Sequence, residues 1–196
     1  MKRLLIVLIV SALVLGCAQR SGQLTNVEKG DLIHMAQEEK LARDVYLTLY
    51  HKWKLVIFKN IAQSESRHMD AILRLIEKYG LRNPIVNDSV GAFEDPHFRK
   101  LYEELVANGS KSEVDALKVG AMIEELDIHD LQKCINRTGE EDIRLVYENL
   151  MRGSRNHLRA FVSALNSLGA TYTPKYISEK EFQSIISSGM GRGVVR

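Results

Sequence analysis

The sequence predicts an all-α protein: an antiparallel bundle of four long helices, paired as two hairpins and joined by one long crossover, with a short helix in the crossover and a small one near the C-terminus. Three observations predict it. Apolar residues recur at steps of three and four along four long stretches. The breaks within each pair are short, whereas about thirty residues separate the pairs, too many for a hairpin loop. The 196 residues include only three prolines, and no regular Gly/Pro punctuation of short alternating runs marks an all-β fold.

The N-terminus comes first. Lys2 and Arg3 precede an apolar run from Leu4 to Leu15, too short at about 1.5 Å per residue to span a bilayer core. This is the pattern of a signal-peptide core over residues 1–16. Val14-Leu15-Gly16-Cys17 resembles a lipobox, so Cys17 is expected to be lipidated and to anchor the chain, with residues 17–25 as a polar tether. Localisation follows: the outer face of the cytoplasmic membrane, or another extracytoplasmic membrane. The alternative is an ordinary cleaved signal with an incidental cysteine. Cys134 is then the single remaining thiol, so no internal disulfide forms, and it is expected to be a small buried hydrophobe.

Residues 26–188 form the expected bundle domain. The first long helix should run from about Asn26 or Glu28 to Trp53, on the stripe Leu32, Met35/Ala36, Ala42, Tyr46, Leu49. The second, from about Ile57 to Tyr79, carries Phe58, Ile61/Ala62, Met69, Ile72 and Ile76, with Gly80 as its stop. In the crossover, Asp95-Pro96 reads as an N-cap with proline at the first helical position, opening a short helix to about Ala107. Ser112 with Asp115 suits the start of the third long helix, which ends near Ile135. Thr138 with Glu141 suits the start of the fourth, which runs to Leu168 and Gly169. A small helix opens at Ser178, and the glycine-rich tail 189–196 is expected to fray.

Charge excludes some functions. Lysine and arginine number 27 against 25 acids, and removing Lys2 and Arg3 with the leader leaves 25 against 25. A neutral chain without a basic stripe is not a nucleic-acid binder. No Gly-x-Ser-x-Gly or phosphate loop is present.

The apolar stripes are interrupted at their midpoints. Glu39 interrupts the first, Glu65 and His68 the second, Glu124 and Asp127 the third, and Ser154 and His157 the fourth. Four buried acids need compensation, and two divalent cations supply it: Glu39, Glu65, Glu124 and Asp127 carry four negative charges while His68 and His157 donate neutral nitrogen. The mixed donor set suits iron, with manganese as the alternative. The competing reading is a structural network in which Arg43, Arg67, Arg155 or Arg159 folds in to pair the acids. Glu38 flanks the stripe and could replace or assist Glu39, which is favoured by its spacing to Ala42 and Tyr46. Glu38, Tyr46 and Ser154 are the candidates for residues behind the ligands, Tyr46 being read first as core. His34, His51 and His97 are expected to be solvated, and Glu125 with His129 to form a surface pair.

Glu39-Lys-Leu-Ala42-Arg-Asp-Val-Tyr46 resembles the Glu-x-x-Ala-x-x-x-Tyr of the first helix in rubrerythrin and ferritin relatives, and Glu65-Ser-Arg-His68 resembles their Glu-x-x-His. Glu124-Glu-Leu-Asp127 is similar to rubrerythrin's Glu-x-x-Glu with the second acid shortened. Together with Gly153-Ser-Arg-Asn-His-Leu-Arg-Ala-Phe161, the pattern is most similar to the ferritin-like family called domain of unknown function 2202, over about Gly30 to Ile186. Helix four departs from the superfamily: Ser154 stands where a second Glu-x-x-His needs an acid, so the two metal positions are expected to differ.

The resemblance implies a ferritin-like bundle and a carboxylate-bridged di-iron or di-manganese centre reacting with dioxygen or peroxide. The cysteine pairs of a rubredoxin-like centre are missing, so the electron donor would be external. The alternative is a helical binding or scaffold lipoprotein with a degenerate or single-metal site and no catalysis.

Overall fold

The computed structural model describes residues 23–189, and among these it is all-helical, with six α-helices and no strand: α1 Asn26–Trp53, α2 Val56–Lys78, α3 Pro96–Gly109, α4 Glu113–Arg137, α5 Glu141–Ser167 and α6 Glu179–Ser187. The leader 1–16, Cys17, most of the tether and the tail from residue 190 lie outside the described residues. No described helix is long and apolar enough to cross a membrane.

The directions of the four long helices follow from which residues meet. Glu39 faces His68 and Tyr46 faces Phe58, so α1 and α2 run antiparallel across the two-residue break Lys54-Leu55. Lys54 closes α1 in the left-handed region, with φ 58°. Glu124 faces His157 and Arg144 reaches the Ile135 carbonyl, so α4 and α5 are also antiparallel. Glu28 meeting Thr138 and Tyr46 meeting Glu124 set α1 against α4 in the same sense. Lys78 meeting Asp142 and Glu65 meeting His157 do so for α2 and α5.

Helix ends agree with the expected capping chemistry, with one exception. Asp95 accepts from the His97 N–H, and the Ser112 hydroxyl accepts from the Asp115 N–H. The exception is Thr138, expected to cap the last long helix. That helix starts later, at Glu141, without a side-chain cap, and the Thr138 hydroxyl instead donates to Glu28 Oε1 at 3.0 Å. Glu28 also accepts from Gly139 N, and its other oxygen accepts from Thr25 N, completing a capping box at the start of α1. One carboxylate thus ties the beginning of α1 to the α4–α5 turn. A tertiary partner displaces the local motif.

The crossover is held to α1 by buried charge. Asp44 is fully buried and accepts from Lys40 Nζ, Arg43 Nε and Gly91 N, while Lys40 also reaches Ser89 O and lies over the Phe93 ring. Removing one partner of such a set costs about 3–5 kcal/mol, because the other charge stays buried. α3 packs on α1 and α4, with Trp53 Nε1 donating to Gly109 O at 2.8 Å. α6 seats Phe182 and Ile185 in the core against α5. Cys134 is a buried free thiol, as expected, and burial pushes its pKa up to about 12.

The interior is divided in two. One apolar cluster holds Tyr46, Phe58, Leu117 and Phe161; the other holds Leu32, Met35, Ile72, Leu131 and Tyr147. Glu39, Glu65, Glu124, Asp127 and Ser154, all at most 5% exposed, lie between them in sequence on all four long helices. This polar layer is where the stripes are interrupted.

Candidate metal centre

Each long helix contributes one turn to this layer, and the side chains converge because they share a height. Glu65 and His68, three residues apart on α2, project from one face. Glu65 Oε2 lies 2.7 Å from His68 Nδ1, and Glu65 Oε1 lies 2.8 Å from His157 Nδ1 on α5. Glu39 Oε2 of α1 lies 3.4 Å from His68 Nδ1, and Glu124 Oε2 of α4 lies 3.3 Å from His157 Nδ1. Two triads result, Glu39-Glu65-His68 and Glu65-Glu124-His157, each with ligand atoms within 4.8 Å of one another, and Glu65 belongs to both.

Those short distances are not all hydrogen bonds. Glu39 Oε1, Glu65 Oε1, Asp127 Oδ1 and His68 Nδ1 are buried without a hydrogen-bond partner of acceptable geometry. Buried polar atoms normally have one. His157 Nδ1 and Glu124 Oε2 do share a hydrogen bond, at 3.3 Å, so the unused bonding capacity lies with the four unpartnered atoms, and these are the ones that can hold an ion. The oxygen and imidazole donors fit iron or manganese.

The groups of the cluster act strongly on one another. Burial raises Glu39 to about 8, with His68 opposing, and burial raises Glu124 to about 7, with Glu65 adding and His157 opposing. Burial also lifts Asp127 well above the carboxylate range, Glu39 and Glu124 adding to it. Glu65 moves the other way: burial opposes its ionisation, but His157 and His68 together hold it well below the usual value. Burial lowers the imidazoles less than Glu65 and its neighbours raise them, leaving His157 at about 10 and His68 well above its ordinary value.

Neighbouring groups orient the cluster. The Tyr46 hydroxyl donates to Glu124 Oε1 at 2.6 Å, so this residue is core and also holds a ligand candidate. Ser154 donates to Asp127 Oδ2. Asp127 joins neither triad; it lines a small closed space with Glu38, Glu39, Glu65 and Glu124. Gly153 makes room for an imidazole: a Cβ there would lie 2.6 Å from His68 Cε1 and 2.7 Å from Nε2.

The two imidazoles are each served by one carboxylate of their own and by Glu65, and Ser154 belongs to neither triad. Among the described residues no arginine pairs the cluster: Arg43 turns to Asp44 and Asp88, Arg155 to Glu181, Arg159 to Ile185 O and Ser188, and Arg67 is exposed. Glu125 is not a surface residue. It is fully buried, with Oε1 accepting from the backbone N–H groups of Lys175, Tyr176 and Ile177 and Oε2 from the Tyr172 hydroxyl. Sequence spacing placed it beside His129; the returning segment before α6 covers it instead. His34, His51 and His97 are exposed as expected.

Fold and cluster define a class: an all-helical protein whose long helices enclose a carboxylate–imidazole layer at mid-height. The chain belongs to the family described as "Uncharacterized protein domain (DUF2202)", which matches residues 28–189 and so spans both triads. It is 62% identical over 173 residues to "Uncharacterized protein MJ0754" of Methanocaldococcus jannaschii, covering 88% of this chain and 94% of that protein. It is also similar to the crystal structure of hypothetical protein MJ0754 from Methanococcus jannaschii DSM 2661, with a TM-score of 0.85 at 62% identity over 86% of this chain and 97% of that one.

Proposed function

We propose that α1, α2, α4 and α5 form a ferritin-like antiparallel four-helix bundle that binds a carboxylate-bridged pair of divalent cations, iron by preference and manganese as the alternative. Glu39 with His68 serves one position, Glu124 with His157 the other, Glu65 serves both, and Asp127 lies beside them. The observation that carries this reading is the set of buried donor atoms packed at 2.7–3.4 Å, two of which, Glu65 Oε1 and His68 Nδ1, have no hydrogen-bond partner. An iron pair so held supplies electron transfer to dioxygen or peroxide, as in a ferroxidase or peroxidase.

The chain's own residues set the conditions. Two apolar clusters exclude water from either side of the layer. Tyr46 fixes one Glu124 oxygen, leaving the other directed at His157. Burial raises the pKa of Glu39 and of Glu124, so a cation that binds their carboxylates displaces protons from them. Cys134 is the single cysteine among the described residues, so a rubredoxin-like centre has no ligands there and the electron donor in this reading is external.

In this reading the protein is extracytoplasmic and held to the membrane by lipidated Cys17, on the strength of the leader sequence. Intact mass spectrometry of the membrane fraction should show a chain beginning at acylated Cys17, and Cys17→Ala should abolish the lipid. For the centre, elemental analysis after anaerobic purification should find iron or manganese, and Fe²⁺ with dioxygen or peroxide should be oxidised. A wild-type chain that retains no more metal than Glu65→Ala would favour the scaffold alternative.

A further inference from the structure

A second group of ligand atoms lies outside the layer. His34 and Glu38 stand one turn apart on α1, and Asp130 approaches from α4, with ligand atoms within 4.8 Å of one another. Glu38 is 4% exposed, and its Oε2, buried without a hydrogen-bond partner, lies 3.5 Å from His34 Nε2. His34 is exposed on its outer side, its ring resting at 5.3 Å from that of Phe98. The site therefore has an open face and a buried one.

Glu38 also belongs to the interior. It lines the closed space shared by Glu39, Glu65 and Asp127. Its charge interacts with Asp127 on the inner side and Asp130 on the outer, both of which, after burial itself, raise its pKa. Burial lowers the pKa of His34, which favours the neutral imidazole and its lone pair.

We infer that His34, Glu38 and Asp130 form an outer binding site for a divalent transition cation, and that Glu38 passes the cation inward to the buried centre. Imidazole and carboxylate donors select a borderline metal over calcium. One competitor is on hand: Lys133 Nζ lies 3.0 Å from Asp130 Oδ1, which His129 Nδ1 also approaches at 3.2 Å. That lysine is half exposed and free to swing away when a cation binds. The transfer step rests on the buried centre proposed above; binding at the outer site does not.

Mn²⁺ binding to the metal-free full chain tests both parts, with equilibrium dialysis giving stoichiometry and the loss of the free-ion paramagnetic signal giving the loading rate. His34→Ala and Asp130→Asn are expected to lose an equivalent that Glu65→Ala keeps, and Lys133→Ala to tighten it. Glu38→Gln should slow filling of the buried centre without lowering its final occupancy. A His34→Ala protein that binds as many equivalents as the wild type overturns the outer site. Loss of that equivalent in His34→Ala, with none lost in Glu65→Ala, would sustain the outer site while removing the buried centre. Wild-type loading rates in both His34→Ala and Glu38→Gln overturn the transfer. Circular dichroism matching the wild type confirms that folding is not the cause, as expected for exposed His34 and for a Glu38→Gln change that conserves volume.

Discussion

The rings of His68 and His157 face each other with centroids 5.7 Å apart and planes inclined by 28°. Glu65 reaches both, one oxygen to each Nδ1. Two imidazoles on α2 and α5 therefore depend on one carboxylate, and the three act as a unit.

Substituting Glu65 should accordingly affect both cation positions together, whereas Glu39→Gln and Glu124→Gln should each weaken one. Glu65→Ala should also destabilise the metal-free chain by about 3 kcal/mol, since it removes the nearer carboxylate of both imidazoles and leaves each with one more distant partner. Metal content and chemical denaturation of the three variants check this. Loss of a single position in Glu65→Ala would contradict the shared role.

Gly153 offers a substitution that acts on the centre through shape alone. The Cβ of Gly153→Ala would meet the His68 ring at 2.6–2.7 Å, and the ring, being a side chain, can yield. Metal affinity should fall while the helix keeps its stability, since alanine favours a helix over glycine by roughly 0.5–1 kcal/mol. Gly30→Ala in α1, with nothing within 4 Å, is the control: it should stabilise and leave metal content unchanged. Titration and thermal melting of both variants separate the two effects.

Glu125 should behave as a clasp. Its carboxylate accepts from three backbone N–H groups and a phenol, all on the segment leading to α6. Glu125→Ala leaves these donors unpaired and should cost about 3 kcal/mol, with proteolysis appearing near residues 172–177. Metal content should stay at the wild-type level. Loss of metal without new cleavage would show that α4 is shifted as a whole.

Glu125 also shows where sequence reading stops. The helix stripes were legible because burial imposes a period of 3.6: Leu32, Met35, Tyr46, Phe58, Ile72 and Ile76 are all buried. Glu65 and His68 were legible because i and i+3 share a face. Glu125 and Thr138 were misread because their partners, residues 172–177 and Glu28, are distant in sequence, and no local spacing encodes a distant donor. The outer group was hidden for the same reason. His34 and Glu38 are one turn apart, but Asp130 comes from another helix. Lys40 and Asp44, an ordinary i, i+4 pair in sequence, are buried only because the crossover lies over them.

The pH dependence of stability should reverse when metal binds. Glu39 and Glu124 have folded-state pKa values of about 8 and about 7 against an ordinary 4.5, and His157 about 10 against 6.5. In each case the folded chain holds protons that the unfolded chain has already lost, so the stability of the metal-free protein falls as pH rises. The two carboxyls contribute from about pH 4.5 to 8 and the histidine from about 6.5 to 10. Glu65, held below its usual range by His157 and His68 despite burial, acts in the opposite sense: its contribution is present above pH 4.5 and is lost only as pH falls further. The metal-free melting temperature should therefore peak near pH 5 and decline through pH 9. Cations bind the deprotonated carboxylates and neutral imidazoles, so affinity rises with pH over the same window, and bound metal stabilises by mass action, about 2.7 kcal/mol at a free concentration a hundredfold above Kd. The gap between loaded and metal-free melting temperatures should widen from pH 5 to 8. Melting with chelator and with saturating Mn²⁺ across that range measures it, and a metal-free curve that rises from pH 5 to 8 would mean that these groups are already ionised and paired by something other than a cation.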